Sequence, residues 1–112
     1  ACPGGPETEH LVDAAVLSAL GAHGYLINIA RGAIVDEQAL IQALDKQQIA
    51  GAALDVFEHE PTVPQALMDS EHVVLTPHIG SATQETRMDM DTLLLDNVAA
   101  FMKEGRLLTA VG

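Results

Sequence analysis

Arg31, Asp55, Glu60 and His78 are the side chains of this sequence whose types and spacing could do chemistry together. A guanidinium captures a carboxylate through two parallel N–H bonds. An imidazole moves a proton near neutral pH, and a carboxylate beside it orients the ring and favours the imidazolium. Taken singly, each has a plainer role: Arg31 as a surface residue after a strand, His78 as a half-buried hydrogen-bonded ring, Glu60 as a solvated loop charge. Taken together, they make a site for an anionic substrate and a proton transfer.

That reading depends on where the elements put them. Residues 25–30 form a short apolar run with β-branched members that stops at Arg31-Gly32, and its lack of polar alternation predicts a strand covered on both faces. Residues 49–57 and 72–77 repeat the pattern, the second closed by the charged stretch Glu58-His-Glu-Pro61 and the third by Pro77. Helices are predicted between them. Asp13 caps a short one over Ala14, Val16, Leu17 and Leu20, stopped by Gly21, with Val12 placed to staple it. Asp36 caps a second over 36–48 through Ala39, Leu40, Ala43 and Leu44, and residues 64–69 form a helical turn. Residues 81–84 read as a capping box. Beyond it, Met90, Leu94, Val98, Phe101 and Met102 line one face of a long C-terminal helix ending near Gly105, with Met88, Met90 and Met102 expected in the core.

Strands alternating with helices predict an α/β fold with a parallel sheet, in which ligands bind beyond the carboxyl ends of the strands. Arg31, Asp55, Glu60 and His78 all fall on that rim. Nothing in the hydrophobic pattern requires this.

The 112 residues hold one small domain's worth of chain, and 48% hydrophobic content with 9 Gly and 5 Pro argues for a globular fold over disorder. Sixteen acidic residues against 5 basic give a net charge of −11, which disfavours nucleic acid and anionic membrane surfaces as partners. No apolar run approaches the roughly 20 residues that span a bilayer. The single cysteine, Cys2, excludes an internal disulfide and fits a reducing, cytoplasmic setting. The five histidines, at 10, 23, 59, 72 and 78, lack the i,i+4 spacing of a helical metal site, so no metal is expected. Neither a Gly-x-Ser-x-Gly elbow nor a phosphate-loop lysine is present. The chain begins at Ala1 on Ala-Cys-Pro-Gly-Gly-Pro, a cluster that usually follows an upstream element, so a fragment is expected.

Three blocks carry a resemblance. Asn28-Ile-Ala-Arg-Gly-Ala-Ile-Val-Asp36, Gly51-Ala-Ala-Leu-Asp-Val-Phe-Glu-His-Glu-Pro61 and Leu75-Thr-Pro-His-Ile-Gly-Ser-Ala82, in that order, resemble the second half of the cofactor domain of D-isomer-specific 2-hydroxyacid dehydrogenases. The resemblance is closest to the glyoxylate/hydroxypyruvate reductase branch and runs from the Cys-Pro loop to Leu107-Leu-Thr109. It implies part of a doubly wound, Rossmann-type parallel sheet over 1–112, with about three strands, flanking helices and a long last helix. The glycine-rich half and most of the substrate domain would lie outside it.

By resemblance, Arg31 binds the carboxylate and carbonyl of a small 2-oxo acid and His78 protonates the carbonyl oxygen. Glu60 keeps His78 protonated, and Asp55 holds the nicotinamide carboxamide. Cys2, Pro3, Ala30, Arg31, His78 and Gly80 match positions along an NADP or NAD cofactor. Gly5 stands where the family commonly has threonine, which removes a side-chain contact to that cofactor. The implied activity is NAD(P)H-dependent reduction to a D-2-hydroxy acid by an intact homodimer, with the isolated chain inactive. The competing expectations are a non-catalytic, corepressor-like nucleotide-binding module and a proteolytic remnant.

Overall fold

The computed structural model describes residues 2–110, which divide between His78 and Ile79 into two compact units. The first holds α1 (Ala14–Leu20), β1 (Tyr25–Asn28), a 3-10 turn (Gly32–Ile34), α2 (Glu37–Asp45), β2 (Gly51–Leu54), α3 (Gln65–Met68) and β3 (Val73–Leu75). The second is built around α4 (Gln84–Glu104).

In the first unit the three strands pair in parallel in the order β1-β2-β3, as the alternation of strands and helices predicts. The caps are those the sequence marks. The Asp13 carboxylate accepts the Ala15 and Val16 N–H groups, and that of Asp36 accepts the Ala39 N–H, satisfying donors that a helix start leaves open. Strands and helices are shorter than the apolar runs suggest, because chain beyond Asn28, Leu54 and Leu75 turns away into the loops that carry the polar groups.

The core lies on one side of the sheet. Leu17 of α1, Leu40, Ala43 and Leu44 of α2, and Leu67 of α3 pack with Ala52 and Leu54 of β2. Leu26, Val73 and Leu75 add their inward faces. Burying a large aliphatic side chain such as Leu40 is worth about 1.5–3 kcal/mol. Coverage of β1 on both faces is not observed: Tyr25 is 69% and Ile27 68% exposed. A strand alternates its side chains between faces, and the helices of this unit pack against the face bearing Leu26. An unbroken apolar run says that two faces are suited to burial, not that both are covered.

In the second unit, α4 is capped by Thr83, whose hydroxyl accepts the Thr86 N–H, two residues later than a cap on Ser81 would be. No α4 residue is buried, so the expected stripe of Met90, Leu94, Val98, Phe101 and Met102 faces solvent, and the methionines are not core residues. Apolar side chains lie around the helix rather than along one narrow face, and the rest of this unit is too small to cover them. The tail after Gly105 is tied back by Asn97, whose side-chain oxygen accepts the Leu108 and Thr109 N–H groups.

Candidate active site

The four candidate side chains follow the carboxyl ends of the three strands: Arg31 after β1, Asp55 and Glu60 after β2, and His78 after β3. After β1 the chain makes a tight turn organised by Asn28. Its buried amide accepts the Ala30 N–H at 3.1 Å and donates to the Arg31 carbonyl at 2.9 Å. This is a side-chain-mediated turn of the kind asparagine favours. Arg31 then extends along an open groove lined by Cys2, Pro3, Gly4, Ile29 and Ala30, with one Nη1–H donated to the Ala30 carbonyl at 2.7 Å.

Beyond β2, Asp55 is 5% exposed and its carboxylate accepts the Thr76 hydroxyl from the end of β3. The loop that follows carries Glu60 back on itself, so that Oε1 accepts the Phe57 N–H at 3.0 Å. After β3, His78 presents Nδ1 to Glu60 Oε2 at 2.8 Å. Only a protonated Nδ1 can donate to an ionised carboxylate, so this bond fixes the ring and leaves Nε2 on the other side. His78 adopts φ 55°, a sparsely used region for a residue with a side chain, held by its N–H bond to the Thr76 carbonyl at 3.1 Å. Phe57, Pro61, Val63 and Pro77 form with Glu60 and His78 a hollow of about 170 Å³.

The electrostatics follow these contacts. The hydrogen bond from His78, with that from the Phe57 N–H, holds the Glu60 carboxyl below the usual carboxylate range. Its neighbour Glu58 pairs with His10 at 2.8 Å, and this bond raises the His10 imidazole above its ordinary value. Glu37, 5% exposed, is pushed upward by burial.

The structure thus joins Glu60 to His78 and gathers Cys2, Pro3, Ala30 and Arg31 on one groove. Gly80 belongs to the second unit. Three polar residues that shape the first unit went unassigned in the sequence: Asn28, Thr76 and Glu37. For Asn28 the signal was there, an amide at the end of an apolar run three residues before an arginine. Among the described residues no group of three His, Cys, Asp or Glu side chains is arranged to hold a metal ion.

A parallel sheet flanked by helices, with polar groups gathered beyond its carboxyl ends, defines a Rossmann-type domain. Residues 1–80 match the family described as D-isomer specific 2-hydroxyacid dehydrogenase, NAD binding domain, and the chain belongs to it. It is 54% identical over 111 residues to glyoxylate/hydroxypyruvate reductase A of Arabidopsis thaliana, covering 99% of this chain and 36% of that protein. Over the same span it is 47% identical to a 2-ketogluconate reductase of Gluconobacter oxydans, again 99% of this chain and 36% of the relative. Among solved structures, the NADPH-dependent glyoxylate/hydroxypyruvate reductase of Sinorhizobium meliloti, in complex with NADP and malonate, superposes with a TM-score of 0.96 at 50% identity, over 99% of this chain and 35% of that one. The chain therefore spans about a third of the length of the relatives it matches.

Proposed function

We propose that this chain supplies the substrate-binding and proton-donating edge of an NAD(P)H-dependent 2-hydroxyacid reductase that acts on a small 2-oxo acid of the glyoxylate or hydroxypyruvate type. The observation that supports it most is the Glu60–His78 pair, a ring held by a carboxylate on Nδ1 with Nε2 left for a ligand. In this reading His78 is the general acid: Nε2 gives its proton to the carbonyl oxygen as negative charge grows there, and Glu60 stabilises the imidazolium before transfer. Arg31 binds the substrate carboxylate with the guanidinium N–H groups not used on Ala30.

The residues fit a nicotinamide cofactor, NADP or NAD. The groove is lined by the small residues Gly4 and Ala30 with Cys2 and Pro3, and Gly80 is assigned to the cofactor by family resemblance alone. Asp55, whose carboxylate accepts the Thr76 hydroxyl, is assigned to the nicotinamide carboxamide by family resemblance. When bound, the reduced cofactor supplies the hydride that attacks the substrate's carbonyl carbon. Relatives named for glyoxylate, hydroxypyruvate and hydroxyphenylpyruvate support a 2-oxo acid substrate. Exposed apolar residues such as Leu94 and Phe101 support a homodimer, and the lone cysteine supports a cytoplasmic setting. No described helix is long and apolar enough to cross a membrane.

The test is NAD(P)H oxidation by the intact protein with glyoxylate or hydroxypyruvate, compared with its His78→Ala variant. The proposal expects turnover to fall about 10²–10⁴-fold, the usual span for a general acid. Undiminished turnover in the variant removes His78 from the reaction.

A further inference from the structure

Glu37 is an expensive residue where it stands. It opens α2, where a carboxylate would be favoured in water by the helix dipole, yet it is turned inward and is 5% exposed. Burial pushes its carboxyl upward, and its one described hydrogen bond is to a backbone group 21 residues away: the Glu58 N–H reaches Oε1 at 2.8 Å. A buried carboxylate costs stability unless its bonds compensate, so what this bond holds matters.

It holds the loop that carries Glu60. The Phe57 and Glu58 amides are consecutive, and each donates to a different carboxylate: Phe57 to Glu60 Oε1, Glu58 to Glu37 Oε1. The same peptide lies against Gly32 so closely that a Cβ there would stand 2.5 Å from the Glu58 nitrogen. His10 fastens the Glu58 side chain from outside. Glu60 takes the Phe57 N–H, just before this clamped peptide, with one oxygen and holds His78 with the other.

We propose that Glu37 is a positioning residue for the Glu60–His78 pair, its buried carboxylate fixing the Glu58 N–H one residue beyond the Phe57 N–H on which Glu60 is seated. The role for turnover rests on the reductase reading above; the role in setting Glu60 does not. Glu37 touches neither Glu60 nor His78 in any hydrogen bond described here, so it acts through the backbone. Gln keeps an acceptor oxygen at the same reach, whereas Ala keeps none and Asp falls one methylene short.

The experiment uses the intact protein with ¹³C-labelled glutamate carboxyls, following the Glu60 titration by NMR, alongside steady-state kinetics with a 2-oxo acid. The groups facing Glu60 are His78, the Phe57 N–H and, more distantly, Asp55. In Glu37→Ala the Glu60 midpoint is expected to rise toward the ordinary 4.5, and kcat to fall about 10- to 100-fold with KM little changed, as for a displaced proton donor. Glu37→Gln is expected to restore both. If Glu37→Ala does not fold, Glu37→Asp serves, with the same direction expected. Leu40→Ala, a destabilising core change, is expected to leave the Glu60 midpoint where it was. A folded Ala or Asp variant whose Glu60 titrates as in the wild type overturns the proposal, as does a Gln variant as impaired as Ala. A wild-type protein that reduces no 2-oxo acid defeats the reductase reading, while the Glu60 titration still decides the role of Glu37.

Discussion

Gly32 lies so close to Phe57 that a Cβ on it would stand 1.9 Å from the Phe57 carbonyl oxygen, well inside any permitted contact. The residue after Arg31 therefore touches the backbone from which the Glu60 loop springs, and the first and second strand ends are fastened by main chain rather than by side chains. Backbone atoms cannot swing aside as a flexible side chain can. Gly32→Ala is expected to destabilise the fold by about 3 kcal/mol, at the upper end of overpacking costs, read as a lower urea midpoint. A midpoint unchanged within error would mean that the two strand ends separate easily.

The two histidine–carboxylate pairs on that loop carry opposite pH signatures. Glu60 is held below 4.5, so its contribution to stability is present above that value and is lost as pH falls through its lowered folded value. His10 is raised above 6.5, so its contribution is complete below 6.5 and is lost as pH rises through its raised folded value. Glu37, raised by burial, also loses stability as pH climbs from 4.5, and a comparison of variants cancels it. The stability difference between wild type and Glu60→Gln should close as pH falls on the acid side, and that between wild type and His10→Gln as pH rises on the alkaline side. Thermal unfolding between pH 3 and 9 reads both, and the reverse assignment of sides would contradict the geometry of the pairs.

Much of this architecture was legible because it is local. Asp13 and Asp36 declare helix starts, and apolar runs stopped by Arg31 and Pro77 declare strands. What escaped is non-local: Glu37 meets Glu58, and Thr76 meets Asp55, each across 21 residues. No spacing rule connects such pairs, since only the folded sheet brings them together. The exposed faces of Tyr25 and Ile27 and the unburied α4 escaped for another reason. Hydrophobicity records what a surface is suited to touch and is silent on which neighbours are there.

Asn28 organises the turn between β1 and Arg31 through two side-chain hydrogen bonds. Asn28→Ala leaves the half-buried Ala30 N–H and Arg31 carbonyl without their side-chain partner, a loss of about 1 kcal/mol. Asn28→Asp keeps the acceptor for Ala30 but sets a carboxylate oxygen against the Arg31 carbonyl oxygen, so it should destabilise more than Ala despite being closer in shape. Urea titration of both variants ranks them; an Asp variant as stable as wild type would show that the donated bond to Arg31 counts for nothing.

Arg31 offers the sharpest test of how the substrate would be held. Its stem is braced by Gly4, where a Cβ would meet the Arg31 Cγ at 2.8 Å, and one Nη1–H is tied to the Ala30 carbonyl at 2.7 Å. The remaining guanidinium N–H groups stay in a fixed plane, the arrangement that a bidentate carboxylate contact needs. Lysine keeps the charge and loses the fork. Arg31→Lys is therefore expected to raise KM for a 2-oxo acid about 10- to 100-fold, the equivalent of one charge-assisted hydrogen bond, with a smaller effect on kcat. Gly4→Ala, which alters no charge and pushes the same stem, should raise KM in the same direction. If Lys matches Arg in KM, charge alone attracts the substrate; if Gly4→Ala is silent while Lys is impaired, the fork matters and the brace does not.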